Sequence, residues 1–129
     1  MPKQSIMVLA NEEVISALLG AMVELDGYSP LFPAADEQPL TAICRHRPDL
    51  LLLDCEHELA WDAHAMRCIL PTTTRILLFS AMRSQREVEQ IAARYGIPAF
   101  VLPVAFREFT AQVDGALRSH DPDALRIGA

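Results

Sequence analysis

Apolar positions along the chain follow two alternating periods, and this alternation is the first structural signal in the sequence. Short apolar runs of strand length occur four times, at residues 5–10, 50–53, 76–79 and 99–102. A further run at 28–32 contains Pro30, which suits only an edge strand, because proline has no N–H to donate to a neighbouring strand. The runs are separated by segments whose apolar residues recur three and four positions apart, as on one face of a helix.

Five helices are predicted between and after these runs. Their patterns run from Glu12 to Gly27, from Asp36 to Pro48, from Leu59 to Leu70, from Ser84 to Gly96 and from Phe106 to Leu117. The fourth helix begins with Ser-x-x-Glu, the sequence of a capping box, and ends at a glycine that suits a helix C-terminus. In the third helix, the side chains predicted to face the core are Trp61, Ala65, Cys68 and Ile69.

Strands that alternate with helices predict an α/β protein with a parallel sheet covered on both faces. Right-handed crossovers favour a flavodoxin-like (βα)5 doubly wound fold with five strands in the order 2-1-3-4-5. The continuous apolar run at 50–53 suits a central strand of such a sheet. We expect one domain over residues 1–118 and a polar C-terminal tail over residues 119–129.

The composition narrows the class of protein. The chain has 129 residues, about half of them hydrophobic, and a net charge of −6, which argues against direct binding of nucleic acid. No apolar run reaches the roughly 18 residues of a membrane span, and the N-terminus lacks the layout of a secretory signal. We therefore expect a cytoplasmic protein without membrane contact.

Three cysteines, Cys44, Cys55 and Cys68, form an odd and scattered set, which indicates reduced thiols. Two Cys/His pairs, Cys55 with His57 and His64 with Cys68, contain residue types that bind zinc. Their spacing does not match a standard zinc finger, so the preferred interpretation is a buried Cys68 with both histidines near a solvated loop.

The strands point to a location for chemistry, because ligands of open parallel sheets bind beyond the carboxyl ends of the strands. Asp54 is the only carboxylate that directly ends a fully apolar strand. A carboxylate there acts as a nucleophile toward a phosphoryl donor or as a Mg²⁺ ligand, or it only caps the following turn. The residues that leave the other strands are Asn11, Glu12, Ser80, Leu102 and Pro103.

Several of these stretches resemble the receiver domains of bacterial response regulators, the family of the chemotaxis response regulator. Residues 47–54, Arg-Pro-Asp-Leu-Leu-Leu-Leu-Asp, resemble the third strand of that family, and residues 76–81 resemble its fourth strand. Gly27 and Tyr28 fall where its first helix gives way to its second strand. The resemblance covers roughly residues 5–118. It implies that Asp54 is the phosphoacceptor and Ser80 the switch hydroxyl.

The chain departs from this family in the groups that support phosphorylation. Two acidic residues end the family's first strand and hold Mg²⁺, whereas Ala10 and Asn11 occupy those positions here. The position of the family's lysine corresponds to Leu102 or Pro103, and the only lysine in the chain is Lys3. Asp54 and Asn11 are therefore expected to bind Mg²⁺ weakly at best.

Two acidic residues are possible neighbours of this pocket. Glu12 follows Asn11 directly, and Glu56 lies two residues after Asp54. A one-residue shift at a strand end points the Glu12 side chain in another direction. Glu56 either replaces part of a lost metal site or repels an incoming phosphoryl group, and we favour repulsion.

These features favour an atypical receiver-like domain of two-component signalling, not an enzyme, that works through protein contacts with impaired Mg²⁺-dependent phosphorylation. One alternative is a functional phosphoacceptor that a histidine kinase phosphorylates on Asp54. Another is a ligand-binding or enzymatic flavodoxin-like protein, which the lack of a glycine-rich phosphate loop disfavours.

The expected partner is a signalling protein, either a histidine kinase or an effector. By resemblance to the family, the partner surface and a possible homodimer interface comprise the fourth helix, the fifth strand and the fifth helix. The charged residues expected on this surface are Arg83, Arg86, Glu87, Glu89 and Arg94.

Overall fold

The computed structural model describes residues 4–70 and 72–118, and within them five strands form one parallel sheet. The strands are β1 (Ser5–Leu9), β2 (Ser29–Leu31), β3 (Leu50–Asp54), β4 (Arg75–Ser80) and β5 (Ala99–Val101). Their order in the sheet is β2-β1-β3-β4-β5, and every neighbouring pair is parallel. The predicted fold and strand order are confirmed. The predicted tail at 119–129 lies outside the described residues.

Helices cover both faces of the sheet. They are α1 (Glu13–Leu25), α2 (Pro39–His46), α3 (Glu58–Trp61), α4 (Ala63–Ile69), α5 (Gln85–Tyr95) and α6 (Phe106–Arg118). Alternate side chains of β3 enter two separate cores: Leu51 and Leu53 pack with α2 to α5, and Leu50 and Leu52 pack with α1 and α6. All five residues of β3 are buried, as expected for a central strand. Asp54 therefore ends the strand that is covered on both faces.

The third predicted helix is divided in two at Asp62, where one continuous helix was expected. Asp62 has an extended backbone (φ −93°, ψ 97°), ends α3 and caps α4 by accepting a hydrogen bond from Ala65 N at 3.1 Å. An aspartate favours such a cap because its carboxylate satisfies a free N–H of the first turn. The break changes which residues face the core. Trp61 is 45% exposed and Cys68 is exposed, so their predicted burial was wrong.

The ends of α5 agree with the sequence pattern. Ser84 and Glu87 form both hydrogen bonds of a capping box, and Gly96 ends the helix in the left-handed conformation with φ +67°. Pro30 lies in the edge strand β2, where its missing N–H costs no sheet hydrogen bond. Within residues 4–70 and 72–118, none of the helices has the length and apolar character that crossing a bilayer requires.

Candidate functional site

Asp54 lies at the carboxyl end of β3, between β1 and β4, and the residue is 7% exposed. Oδ1 accepts a hydrogen bond from Glu56 N at 2.9 Å, and Oδ2 accepts one from Asn11 N at 3.3 Å. Both donors are backbone N–H groups of the loops that follow β3 and β1. Hydrogen bonds to a carboxylate are among the stronger ones in proteins, so these two loops hold the Asp54 side chain in one orientation.

Asn11 connects the same two loops through its side chain. Its Nδ2 donates a hydrogen bond to the backbone carbonyl of Glu56 at 2.9 Å. The amide thus presents a donor to this carbonyl, whereas an acidic residue at position 11 has no N–H to offer it. As a result, Asn11 holds the loop after β3 against the end of β1, beside Asp54.

The carboxylate of Glu56 is neutralised by Arg83, whose Nε donates to Glu56 Oε1. Arg83 Nη1 also lies 3.6 Å from Glu87 Oε2, at the start of α5. The hydrogen bond to Glu56 raises the pKa of Arg83 above its ordinary value. In this site, Glu56 is therefore one partner of an ion pair with Arg83.

Ser80 ends β4 and is fully buried. Its Oγ accepts hydrogen bonds from the backbone N–H groups of Met82 at 3.1 Å and Arg83 at 2.9 Å. These bonds shape the turn between β4 and α5, as serine hydroxyls commonly do in turns. The switch role inferred for Ser80 stays a prediction.

Four of the residues singled out in the sequence line one shallow depression of about 180 Å³, namely Asn11, Glu12, Asp54 and Glu56. Ile15, Ala81 and Met82 complete its wall. Four sequence-predicted positions do not line it, namely Ser80, Ala10, Leu102 and Pro103. Ala10 packs against the core under α1 and α6, while Leu102 and Pro103 line an adjoining apolar groove beside α1, which shares Ile15 and Ala81 with the depression. Leu102 is 9% exposed and is part of the hydrophobic core.

Two groups beside Asp54 that could serve as Mg²⁺ ligands, the carbonyl and the carboxylate of Glu56, make other contacts. Mg²⁺ binds carboxylates, carbonyl oxygens and water in octahedral geometry. Here the Asn11 side chain and the Glu56 carbonyl are hydrogen-bonded to each other, and the Glu56 carboxylate is paired with Arg83. Across residues 4–70 and 72–118, no group of three or more His, Cys, Asp or Glu side chains is arranged to hold a metal ion.

Neither of the two Cys/His pairs lines this depression. Cys55 is buried, and burial, followed by the charge of Asp54, raises the pKa of its thiol to about 11. His57 caps α3 by accepting a hydrogen bond from Leu59 N at 3.1 Å, and burial lowers the pKa of this histidine. His64 contacts Cys68 across one turn of α4, with 3.9 Å between Nε2 and Sγ.

Sequence reasoning missed the contacts of Trp61 with two arginines. The guanidinium carbon of Arg83 lies 5.2 Å from the centroid of the Trp61 ring, and that of Arg94 lies 5.7 Å away. Arginine over an indole face is a favourable cation–π contact. Arg83 lies in the turn before α5 and Arg94 near the end of that helix, so the sequence contained no helical spacing that could have indicated these contacts.

Solved structures show what this fold is similar to. A response regulator receiver protein from Burkholderia phymatum superimposes with a TM-score of 0.73 at 17% identity, over 93% of this chain and 99% of the other. A response regulator from Thermotoga maritima gives 0.71 at 19% identity, over 91% and 99%. The BeF3-activated N-terminal receiver domain of Klebsiella pneumoniae RstA gives 0.72 at 17% identity, over 90% and 100%.

No protein-family model matches the chain, and no curated protein matches it in sequence. The similarity is therefore one of fold. The chain has the CheY-like fold of response regulator receiver domains, and Asp54 stands at the end of its third strand.

Proposed function

We propose that this chain is a receiver-like domain of two-component signalling that acts through protein contacts, with impaired Mg²⁺-dependent phosphorylation of Asp54. The observation that carries the proposal is the hydrogen bond from Asn11 Nδ2 to the Glu56 carbonyl, beside the Asp54 carboxylate. The receiver fold supports the signalling part of the proposal. This hydrogen bond supports the impaired part, because it occupies one lone pair of the Glu56 carbonyl and directs the N–H group of Asn11, not a carboxylate, toward that carbonyl.

Electrostatics favours the same conclusion. Phosphoryl transfer depends on cations that neutralise the oxygens of the transferred group. The depression around Asp54 carries the additional carboxylates of Glu12 and Glu56, and the nearby cation Arg83 is already paired with Glu56. Neither Leu102 nor Pro103, the two alternatives for the position of the family's lysine, carries a charge. An incoming phosphoryl donor would thus meet little positive charge.

An exposed apolar surface supports a role in protein contacts. We call it the α1 surface, and its large exposed side chains are Leu18, Leu25 and Phe106. Beside them, α1 and the segment from Leu102 to Phe106 enclose an apolar groove of about 570 Å³. Exposed apolar surface of this kind commonly marks interaction sites. The proposed partner is a signalling protein, a histidine kinase or an effector.

The surface expected from family resemblance corresponds to α5, β5 and α6. A homodimer through these elements stays a prediction, as does the cytoplasmic location. The α1 surface adds a second candidate contact area. Leu25→Ser tests it, because Leu25 is 76% exposed and a smaller polar side chain there should weaken partner binding while leaving the free energy of unfolding nearly unchanged.

Binding of Mg²⁺ tests the impaired site directly. Isothermal titration of the purified protein with MgCl₂ is expected to show no Asp54-dependent heat at millimolar Mg²⁺. Asp54→Asn is the matched control. A binding isotherm in that range that disappears in Asp54→Asn would instead favour a functional phosphoacceptor. A flavin or nucleotide that copurifies stoichiometrically would favour the ligand-binding alternative.

A further inference from the structure

A groove between α2 and α4 carries two of the three thiols of the chain. Cys44 on α2 and Cys68 on α4 are both exposed, and both line this groove, which has a volume of about 540 Å³. The groove shares no lining residue with the depression at Asp54. Its volume is within the range that small-molecule ligands occupy in proteins. The two thiols therefore share one space of the size of a ligand.

The walls of the groove suit an apolar molecule. Their apolar side chains are Leu40, Ile43 and Ile69. The hydroxyls of Thr72 and Thr74 also line the groove, but they donate to the backbone carbonyls of Ile69 at 2.6 Å and of Pro48 at 2.7 Å. These two hydroxyls thus use their protons within the protein. Arg47 is the one charged residue among the described residues of the lining, so the groove offers few polar groups to a ligand.

Cys68 has a proton acceptor beside it. Its Sγ lies 3.9 Å from Nε2 of His64, one turn earlier on α4, and this contact is exposed to solvent. In the tautomer that carries its proton on Nδ1, the imidazole accepts the S–H proton and leaves a thiolate. A nucleophile within reach of a base is the arrangement by which proteins activate a thiol. The pair of His64 and Cys68 therefore places an activated nucleophile at the wall of an apolar groove.

We propose that the groove between α2 and α4 binds apolar electrophiles and that Cys68 adds to them, with His64 as the base. The chemical class is an α,β-unsaturated ketone or aldehyde that carries an alkyl chain. The chain occupies the groove against Ile43 and Ile69, and the unsaturated carbons meet Cys68. This reaction is separate from phosphorylation of Asp54 and requires none of the groups in that depression.

The addition balances without an oxidant or a further reactant. His64 takes the thiol proton of Cys68, and the sulfur forms a bond to the β-carbon of the electrophile. The electron pair of the C=C bond moves onto the carbonyl oxygen, which gives an enolate. Return of the proton from His64 to the α-carbon completes the thioether.

The rates of alkylation by hexyl vinyl ketone and by methyl vinyl ketone test the proposal. Intact mass follows the addition to the full chain over time, peptide mapping identifies the modified thiol, and glutathione is the reference thiol. Cys68 is expected to react at least about tenfold faster with the hexyl than with the methyl ketone, because the groove buries the longer chain. Glutathione has no groove and should react with the two ketones at similar rates.

Three variants separate the groove from the base. Cys44→Phe fills the groove from its α2 wall and should abolish the chain-length preference of Cys68, whereas Cys44→Ser leaves the space open and should retain it. His64→Gln is expected to slow both ketones about tenfold or more and to leave the ratio of their rates unchanged. Far-UV circular dichroism of each variant establishes that it is folded, and an unchanged rate of Cys44→Phe with methyl vinyl ketone shows that Cys68 is still accessible.

Four results would overturn the proposal. The first is a ratio of the two rates at Cys68 equal to that of glutathione, and the second is an equal ratio in Cys44→Phe and Cys44→Ser. The third is an unchanged rate in His64→Gln. The fourth is modification of Cys44 in preference to Cys68.

Discussion

Asn11 donates its side-chain amide to the backbone carbonyl of Glu56 at 2.9 Å, and this bond closes the loops on either side of Asp54. The contact depends on the N–H group of an amide, because a carboxylate at position 11 would bring two acceptors together. At position 11, an amide that donates this hydrogen bond therefore stands in place of a carboxylate that could bind a metal ion. The hydrogen bond of Asn11 thereby holds the two loops beside Asp54 together without a cation.

Asn11→Asp should remove this hydrogen bond and place a second carboxylate beside Asp54. Without divalent cations, loss of the hydrogen bond and repulsion from Asp54 are expected to lower the free energy of unfolding by about 1–2 kcal/mol. Addition of millimolar Mg²⁺ should restore part of that loss, because the cation offsets the two carboxylates. Thermal unfolding with and without MgCl₂ measures both effects. Asn11→Ala is the control, and an equal Mg²⁺ response of both variants would contradict the interpretation.

A second carboxylate pair predicts a pH dependence of stability. Asp26 ends α1 with Oδ2 buried and without a hydrogen-bond partner in the described residues, and nearby Asp114 of α6 accepts a hydrogen bond from Tyr28 at 2.7 Å. Burial, and then the charge of Asp114, raise the pKa of Asp26 to about 6. The cation of this cluster is Arg118, whose charge opposes the rise in the pKa of Tyr28.

The direction of the pH dependence follows from the pKa of Asp26 in the folded and in the unfolded protein. The pKa of Asp26 in the folded protein lies above its ordinary value of 3.8, so the folded state binds the proton more tightly than the unfolded chain. This contribution is complete below about pH 4 and is lost as the pH rises through about 6. Asp26→Asn should therefore stabilise the protein at pH 7.5 relative to the unsubstituted chain, and less so at pH 4.5.

Urea unfolding at the two pH values measures this difference. The exposed Asp36, in the loop before α2, supplies the control Asp36→Asn. A gain in stability for Asp26→Asn that is equal at both pH values would contradict the assignment of the titrating group to Asp26.

The three thiols should differ sharply in reactivity. Cys44 and Cys68 are exposed, whereas Cys55 is buried and the pKa of its thiol is raised to about 11. Because the thiolate is the nucleophile, Ellman's reagent at pH 8 is expected to modify two thiols in the folded protein and the third only after unfolding. The double variant Cys44→Ser/Cys68→Ser should show no rapid reaction. Rapid modification of that variant would contradict the burial of Cys55.

The features that the sequence predicted well are those set by local chemistry or by strong periodicity. The capping box of Ser84 and Glu87 and the C-terminal Gly96 depend on a few adjacent residues. The run from Leu50 to Leu53 is apolar at every position, so its central place in the sheet and the location of Asp54 followed directly.

The features that the sequence did not predict depend on tertiary contacts. Asp62 reads as an ordinary polar position of a helix, yet its cap divides the segment and exposes Trp61. The pairing of Glu56 with Arg83 joins residues 27 positions apart. The sequence therefore located Asp54, but the donors that surround it required the structure.

The central claim concerns phosphorylation of Asp54, and intact mass tests it most directly. The purified chain and Asp54→Asn are each incubated with acetyl phosphate and Mg²⁺, and their masses are compared at successive times. The account predicts that the two proteins behave alike, with no stable addition of a phosphoryl group. A stable gain of one phosphoryl group by the chain, absent from Asp54→Asn, would contradict it.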